Sequence, residues 1–246
     1  MKRIKVIVPI TTDQWNEETK DFLDGHKNPD TSIDVVSIKQ GPDSIDGIYD
    51  AVWAKLFTVL EAEKAETEGY DGVIIYCSGD PGLRAAKEKL TIPVVGLNEP
   101  AIHVASILGR QFSIITTGPP TSVMSVQLAD NVRMCGFESK CASIRSIGMA
   151  VLDLGENKEE EAQRAFQEAK QAIEQDGADV IVLGCGAMFG VEERITKELG
   201  VPVVVPGAAA LKVCEDLIEL KLTQSKRRFA LPLKKQRTLQ GGGGRE

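Results

Sequence analysis

The chain has 246 residues, of which 42% are hydrophobic and 26% charged, and its formal net charge is −7. This composition indicates an ordinary folded protein with one large or two ordinary domains, and it excludes disordered, collagen-like and disulfide-scaffold chains. An acidic chain is also a poor binder of phosphate backbones, so nucleic acid is not an expected partner.

The cysteines and the apolar runs indicate the compartment. Five cysteines occur without a basic and apolar leader at Met1, which predicts a cytoplasmic protein with free thiols. Apolar runs stay below the roughly 18 residues that a membrane span needs, so no membrane association is expected. We expect a homo-oligomer whose partner is a small-molecule substrate.

Short runs rich in Val and Ile alternate with helical patterns along the chain, which is typical of parallel βαβ architecture. Eight strands are predicted: Ile4–Pro9, Ile33–Ile38, Gly72–Tyr76, Val94–Gly96, Phe112–Thr116, Ala142–Ile147, Val180–Leu183 and Val203–Val205. They form two sets of four, so the fold class is α/β. The predicted division is a first domain of residues 1–99 plus about 207–224, and a second domain of 100–206. A helix from about Ala208 to Leu222 follows the last strand and is predicted to return to the first domain.

The two sets of strands resemble each other in sequence. Cys77 and Cys185 each follow an apolar run and are 108 positions apart, while Pro93 and Pro202 are 109 apart. A fixed offset shared by separate landmarks indicates a duplicated unit. Any two βαβ segments share apolar runs, but that similarity does not explain two cysteines at matching positions.

The segment 225–246 differs from the rest of the chain. It has seven Lys and Arg against Glu246, a net charge of +6, which leaves −13 for the remainder. Apolar periodicity stops after Gln224, and four glycines begin at Gly241. These features predict a flexible, solvated basic tail or a cloning remnant, with a partner site as the alternative.

Cys77 has the position of a functional residue. It follows a buried strand and precedes a loop in which Asp80 is predicted to be the N-cap, and Pro81 the first residue, of a helix ending near Leu90. Ligands of open α/β sheets bind at the carboxyl ends of strands, where helix N-termini present backbone N–H groups. The same dipoles are expected to lower the thiol pKa from about 8.5 toward neutrality.

Cys185 repeats this arrangement before a helix predicted near Val191 to Leu199. If the halves are related by an approximate two-fold axis, Cys77 and Cys185 face each other across one cleft. Racemisation beside a carbonyl needs that geometry, because one group removes a proton from one face and the other delivers a proton to the opposite face. The remaining cysteines lack such a loop and are interpreted as structural: Cys135, Cys141 and Cys214. A disulfide between Cys77 and Cys185 is the other alternative.

The chain also resembles the aspartate/glutamate racemase superfamily, and within it the hydantoin racemase and allantoin racemase branch. The motifs that carry the resemblance are Gly41–Asp50, Cys77–Leu83, Ile114–Thr117 and Gly184–Met188, within about residues 1 to 222. The resemblance implies two Rossmann-like domains and a cofactor-independent active site between them. It implies Cys77 and Cys185 as the catalytic pair. Implied contacts to the carbonyl or ring-nitrogen groups of the substrate are Ser78, Gly79, Thr116, Thr117 and Gly186.

One loop departs from the family pattern. The family usually has Asn-Pro-Asn after the first strand, whereas this chain has Pro9 and Ile10 followed by two threonines. Pro9 and Ile10 are predicted to contact the substrate, but this loop lacks the two asparagine amides of the family pattern.

Cofactor motifs give no competing prediction. The glycines from Gly184 to Gly190 could suggest a dinucleotide fingerprint, but no acidic residue follows the next strand. His26 and His103 lie far from any cysteine pair with zinc spacing, so no metal site is predicted.

The sequence thus predicts a racemase of 5-substituted hydantoins or allantoin-like ureides. The alternatives are an amino-acid racemase, a decarboxylase or cis-trans isomerase of the same superfamily, and a non-catalytic two-domain ligand-binding module. A one-cysteine decarboxylase fits less well because both cysteines are present. An amino-acid racemase would more naturally have Asn-Thr after Cys77 than Ser78 and Gly79.

Overall fold

The computed structural model describes residues 1–118, 123–188 and 190–238. Its first strands and helices are β1 (Lys2–Val8), α1 (Asn16–Asp24), β2 (Thr31–Ser37), α2 (Ile48–Thr67), β3 (Gly72–Ile75), α3 (Leu83–Lys89) and β4 (Val94–Val95). Then follow α4 (Asn98–Leu108), β5 (Phe112–Thr116), α5 (Val123–Met134), β6 (Cys141–Ser146), α6 (Lys158–Asp176), β7 (Val180–Leu183), α7 (Glu192–Leu199), β8 (Val203–Val204) and α8 (Pro206–Glu219). Short 3-10 helices lie at Glu138–Lys140 and Val151–Asp153.

The strands form two four-stranded parallel sheets with the same strand order. The first sheet has the order β2-β1-β3-β4 and the second β6-β5-β7-β8. Position by position, β1 corresponds to β5 and β3 to β7, so the predicted α/β fold with two similar sheets is confirmed. Two predicted strands, Phe112–Thr116 and Val180–Leu183, have the observed bounds, and in the other six each bound differs by at most two residues.

Burial explains why these runs form strands. All residues of β3 and β7 are buried, because helices cover both faces of each parallel sheet. The strands are short and rich in β-branched residues, which pack well on a pleated surface. The carboxyl ends of β1, β3, β5 and β7 are therefore firmly held, and the loops that follow them start from fixed points.

Helix α8 packs on the first sheet although it follows the second in the chain. Gly72 of β3 has no side chain, and a Cβ there would lie 2.8 Å from the Cys214 Sγ of α8. The buried Glu215 of α8 accepts a hydrogen bond from the Asn28 N–H at 2.7 Å. The helix begins at Pro206 and ends at Glu219, slightly earlier than the predicted bounds. The division into domains itself remains a prediction.

The chain after α8 continues along the first sheet. The Gln224 amide accepts a hydrogen bond from the Val94 N–H at 3.2 Å and donates to the carbonyls of Leu90 and Ile92. The Lys226 ammonium donates to the Lys87 carbonyl at 2.7 Å. The predicted tail thus begins with ordered contacts, while residues 239–246, including the four glycines, lie outside the described part of the chain. None of the helices in the described ranges combines the length and apolar character required to cross a membrane.

Candidate active site

The structure places all nine predicted site residues around one cavity. This cavity has a volume of about 70 Å³ and lies where the carboxyl ends of β1 and β3 approach those of β5 and β7. The predicted residues that line it are Pro9, Ile10, Cys77, Ser78, Gly79, Thr116, Thr117, Cys185 and Gly186. The chemical roles assigned to them remain predictions.

Cys77 lies in a tight turn at the end of β3. Its N–H donates to the Ile75 carbonyl at 3.0 Å, and its own carbonyl accepts from the Asp80 N–H at 2.9 Å. The Asn131 amide of α5 donates to the Gly79 carbonyl at 3.2 Å. A helix beside the second sheet therefore holds the loop that follows the first.

Cys185 lies in a corresponding turn at the end of β7. The Gly184 N–H donates to the Ile115 carbonyl at 2.6 Å, and the Thr116 hydroxyl donates to the Gly184 carbonyl at 3.2 Å. The Cys185 carbonyl accepts from the Met188 N–H at 3.2 Å. The two turns thus repeat the same bond from residue i+3 to the cysteine carbonyl, as the matching sequence positions predict.

Both thiols are free, so the disulfide alternative is wrong for this structure. The expectation of a lowered thiol pKa is also wrong. Burial raises the pKa of Cys77 to about 12, and the negative charges of Cys185 and Asp80 act in the same direction. Burial also raises the pKa of Cys185, against hydrogen bonds from the Ala187 N–H and the Thr117 hydroxyl.

The positions of the helices explain the incorrect expectation. Helix α3 begins at Leu83, after Gly82 in the left-handed region at φ +82°, and α7 begins at Glu192. Neither N-terminus directly follows a cysteine, so desolvation outweighs the helix dipoles. Asp80 is not the N-cap of α3, because its carboxylate accepts hydrogen bonds from the start of α4 instead.

The side chains that line the cavity are uncharged. Two buried hydroxyls, those of Tyr76 and Ser78, have no hydrogen-bond partner among the described residues. The Tyr76 hydroxyl lies against Gly207 of α8, where an added Cβ would overlap it, whereas Ser78 directly follows Cys77. Burial and the nearby Cys185 raise the pKa of Tyr76, which keeps its hydroxyl protonated as a donor.

The sequence analysis did not identify several apolar residues of the cavity. Trp15 and Ile45 are buried and line it together with Val151 of the second half. The Val151 N–H donates to Asp46 at 3.3 Å, which links the two loops. Trp15 and Ile45 lie in loops and Val151 in a short 3-10 helix, all without apolar periodicity, and only Ile45 falls in a motif identified beforehand. Further lining residues are Val8, Thr19, Tyr76, Gly184 and Ala187.

The described residues contain no group of three or more His, Cys, Asp or Glu that could hold a metal ion. The cavity presents two thiols and hydroxyl groups as its reactive and polar side chains. Such a set can move protons and donate hydrogen bonds. Cofactor independence remains a prediction.

Comparisons with known proteins show the family to which the chain is similar. A sequence model of a family described as Asp/Glu/Hydantoin racemase matches residues 4–214. The chain is 37% identical over 235 residues to a hydantoin racemase of Pseudomonas sp. (strain NS671), covering 95% of this chain and 93% of that protein. It is 36% identical to a hydantoin racemase of Paenarthrobacter aurescens, covering 95% and 99%. The solved structure of an allantoin racemase from Klebsiella pneumoniae superposes with a TM-score of 0.92 at 33% identity, covering 98% and 97%.

Proposed function

Because the chain belongs to the Asp/Glu/hydantoin racemase family, we propose that it interconverts enantiomers of 5-substituted hydantoins or allantoin-like ureides without a cofactor, using Cys77 and Cys185. As a relative of racemases over nearly its whole length, the chain is an isomerase. The observation that carries the proposal is the position of two cysteines, in equivalent turns of the two halves, on one cavity.

The proposed reaction is a transfer of protons at one carbon. One cysteine, as thiolate, takes the hydrogen from the carbon next to the ring carbonyl, and the electron pair moves onto that carbonyl as an enolate. The other cysteine, as thiol, then gives its proton to the opposite face of the same carbon. Atoms and charge balance, and the two cysteines have exchanged protonation states at the end.

The enolate needs hydrogen-bond donors where its charge develops. Ser78 lines the cavity beside Cys77, and its hydroxyl, which has no partner among the described residues, is the proposed donor. Gly186 leaves room for the Tyr76 ring beside Cys185, since a Cβ at that position would lie 2.8 Å from the ring.

The uncharged lining favours a neutral ring over an amino acid. A free amino acid has a carboxylate and an ammonium group, which are costly to desolvate without charged partners. Trp15, Ile45 and Val151 offer apolar surface that suits an apolar 5-substituent. An amino-acid racemase is therefore the less favoured alternative. A ligand-binding module without catalysis would not need two thiols on the same cavity.

The substrate proposal predicts activity on hydantoins in the absence of added cofactor. We expect loss of optical rotation, together with α-hydrogen exchange in deuterated water, for single enantiomers of 5-substituted hydantoins or allantoin. Aspartate and glutamate are expected to exchange at the rate of a blank without enzyme. Exchange of the amino acids alone would favour the amino-acid alternative, and no exchange in any compound would contradict the racemase proposal for this panel.

The raised thiol pKa values predict a rate that increases with pH. Abstraction needs a thiolate, and both pKa values lie above neutrality, so protonation limits the active form. Below both values the thiolate fraction grows about tenfold per pH unit, and kcat/KM for a hydantoin should increase in parallel. The blank rate is subtracted at each pH. A plateau or a decline between pH 6 and 8 would contradict this prediction.

The proposal includes a cytoplasmic location and a homo-oligomeric state. All five cysteines are free, as in a reducing compartment. Helix α2 exposes apolar side chains that a neighbouring subunit could cover, among them Tyr49, Trp53 and Leu56.

A further inference from the structure

Asp80 joins the Cys77 loop to the start of another helix. Its carboxylate accepts hydrogen bonds from the backbone N–H groups of Leu97 at 2.8 Å, Asn98 at 3.2 Å and Glu99 at 3.3 Å. These are first-turn groups of α4 that have no partner within the helix. The Asp80 N–H also donates to the Cys77 carbonyl at 2.9 Å. The hydrogen bonds of Asp80 therefore fix the loop that contains the Cys77 thiol to the start of α4.

The backbone at Asp80 is strained in a way that fits this role. Its φ is +48°, and within the described ranges only one other non-glycine residue, Lys221, has a positive φ. A left-handed conformation is unfavourable for L-residues and persists when surrounding contacts enforce it. Gly96 leaves room for the carboxylate, since a Cβ at that position would lie 2.3 Å from Asp80 Oδ1.

The second half lacks this carboxylate. Met188 takes the position of Asp80 in the turn of Cys185, and its N–H makes the equivalent bond to the cysteine carbonyl at 3.2 Å. The Met188 side chain is 1% exposed and apolar. The duplicated halves therefore differ in charge three residues after each cysteine.

Several groups determine the charge near Asp80. Burial raises the pKa of Asp80 to about 7, against its three backbone hydrogen bonds, and Glu99 raises it further. Cys77 and the half-buried Cys135, which directly follows α5, both experience its negative charge. Lys87 of α3 forms a salt bridge with Glu99, and the outer groove beside the loop also contains Lys55 and Arg84. In the second half, the negative charge of Glu161 contributes to the raised pKa of Cys185.

We propose that Asp80 is a positioning residue that holds the Cys77 loop against α4 and, through its charge, makes the two cysteines of the proposed pair unequal. This inference rests on the proposed function. Asp80 holds the Cys77 loop in place, and its negative charge disfavours the thiolate form of Cys77. It takes no part in proton transfer. Cys77 is then the more strongly protonated member of the pair, and Cys185 is the one that gives up its proton first as the pH rises.

Two substitutions separate the effect of the hydrogen bonds that Asp80 accepts from the effect of its negative charge. Asp80→Asn keeps an oxygen that can accept from Leu97 and Asn98 but removes the charge, whereas Asp80→Ala removes both. Asp179→Asn is the matched control, because Asp179 accepts hydrogen bonds from the N–H groups of Arg110 and Gln111, both at 2.9 Å, at the opposite end of β7 from Cys185. Circular dichroism checks that each variant is folded.

The first measurement is alkylation by iodoacetamide as a function of pH, mapped for each cysteine by peptide mass. In Asp80→Asn we expect alkylation of Cys77 at pH 8 to become about tenfold faster, while that of Cys185 changes less than about twofold. Asp179→Asn should match the parent. An unchanged Cys77 profile, or equal shifts at both cysteines, would overturn the proposed inequality. This readout uses no substrate, so it remains informative if the chain racemises none of the compounds tested.

The second measurement is the kinetics of hydantoin racemisation. Asp80→Ala is expected to lower kcat about tenfold or more with a smaller change in KM, because the thiol is misplaced while the rest of the cavity is intact. The kcat of Asp80→Asn should be much closer to that of the parent than the kcat of Asp80→Ala. Its pH–rate profile should lie at lower pH than the parent's. Equal kcat in Asp80→Ala and the parent would overturn the positioning role. If Asp80→Ala does not fold, the pH profile of Asp80→Asn decides, and a profile identical to the parent's overturns the proposal.

Discussion

Replacing either Cys77 or Cys185 by serine is expected to abolish measurable racemisation while leaving the fold intact. Serine preserves the approximate shape, but its hydroxyl has a far higher pKa and cannot act as base on that side of the substrate. General acid/base groups contribute about 10²- to 10⁴-fold, or roughly 3 to 5 kcal/mol of transition-state stabilisation. Polarimetry on single hydantoin enantiomers measures the loss, and circular dichroism verifies folding.

Cys141→Ser is the control for this pair of substitutions. Cys141 begins β6, at the end of the sheet away from the cavity, and its partly buried thiol donates to the Ser143 carbonyl at 3.6 Å. We expect its racemisation rate within about twofold of the parent, since Cys141 lies outside the cavity and serine preserves its approximate shape. Near-parental racemisation by Cys77→Ser or Cys185→Ser would show that the corresponding thiol is dispensable.

Gly184→Ala is expected to damage both stability and activity, because Gly184 joins β7 to Cys185 where three atoms leave no room. A Cβ there would lie 2.7 Å from Ile114 Cγ2, 2.9 Å from Thr116 Cβ and 3.0 Å from the Ile115 carbonyl oxygen. Overpacking of this kind costs about 1–3 kcal/mol of unfolding free energy. The strand end must move to relieve the contacts, which displaces Cys185, so we expect kcat to fall about tenfold or more.

The matched control for this glycine is Gly25→Ala. Gly25 has φ −68°, which any residue adopts, and a Cβ there would lie 3.4 Å from the Phe22 carbonyl oxygen. Thermal unfolding followed by circular dichroism should show a midpoint lowered by about 2–4 °C per kcal/mol for Gly184→Ala and little change for Gly25→Ala. Equal midpoints for the two variants would contradict the packing argument.

The strands could be predicted well because their signal is local. Phe112–Thr116 and Val180–Leu183 are continuous apolar runs of the length expected for a buried parallel strand, and both have the predicted bounds. The position of the two cysteines follows from the same pattern, since each comes directly after a strand that is buried on both faces. Because the two halves match in sequence, the functional position of Cys77 also predicted that of Cys185.

The incorrect expectations depend on contacts between distant residues. Asp80 matched the local pattern of a helix N-cap, but its partners are the Leu97 and Asn98 N–H groups, brought close by the tertiary fold. The thiol pKa values were expected to fall because a helix follows each cysteine, whereas burial between the two halves dominates. Trp15 lies in a loop without periodicity, so no sequence pattern indicated its place in the cavity.

Hydrogen exchange by the single cysteine variants tests the opposed-thiol mechanism most directly. Each enantiomer of one hydantoin is incubated in deuterated water with Cys77→Ser or Cys185→Ser, and deuterium at the reacting carbon is followed by NMR. Each remaining thiolate faces the hydrogen of only one enantiomer, so the account predicts that each variant exchanges one enantiomer and that the favoured enantiomer switches between the two variants. Exchange of the same enantiomer by both variants, or of both enantiomers by either one, would contradict two opposed thiols.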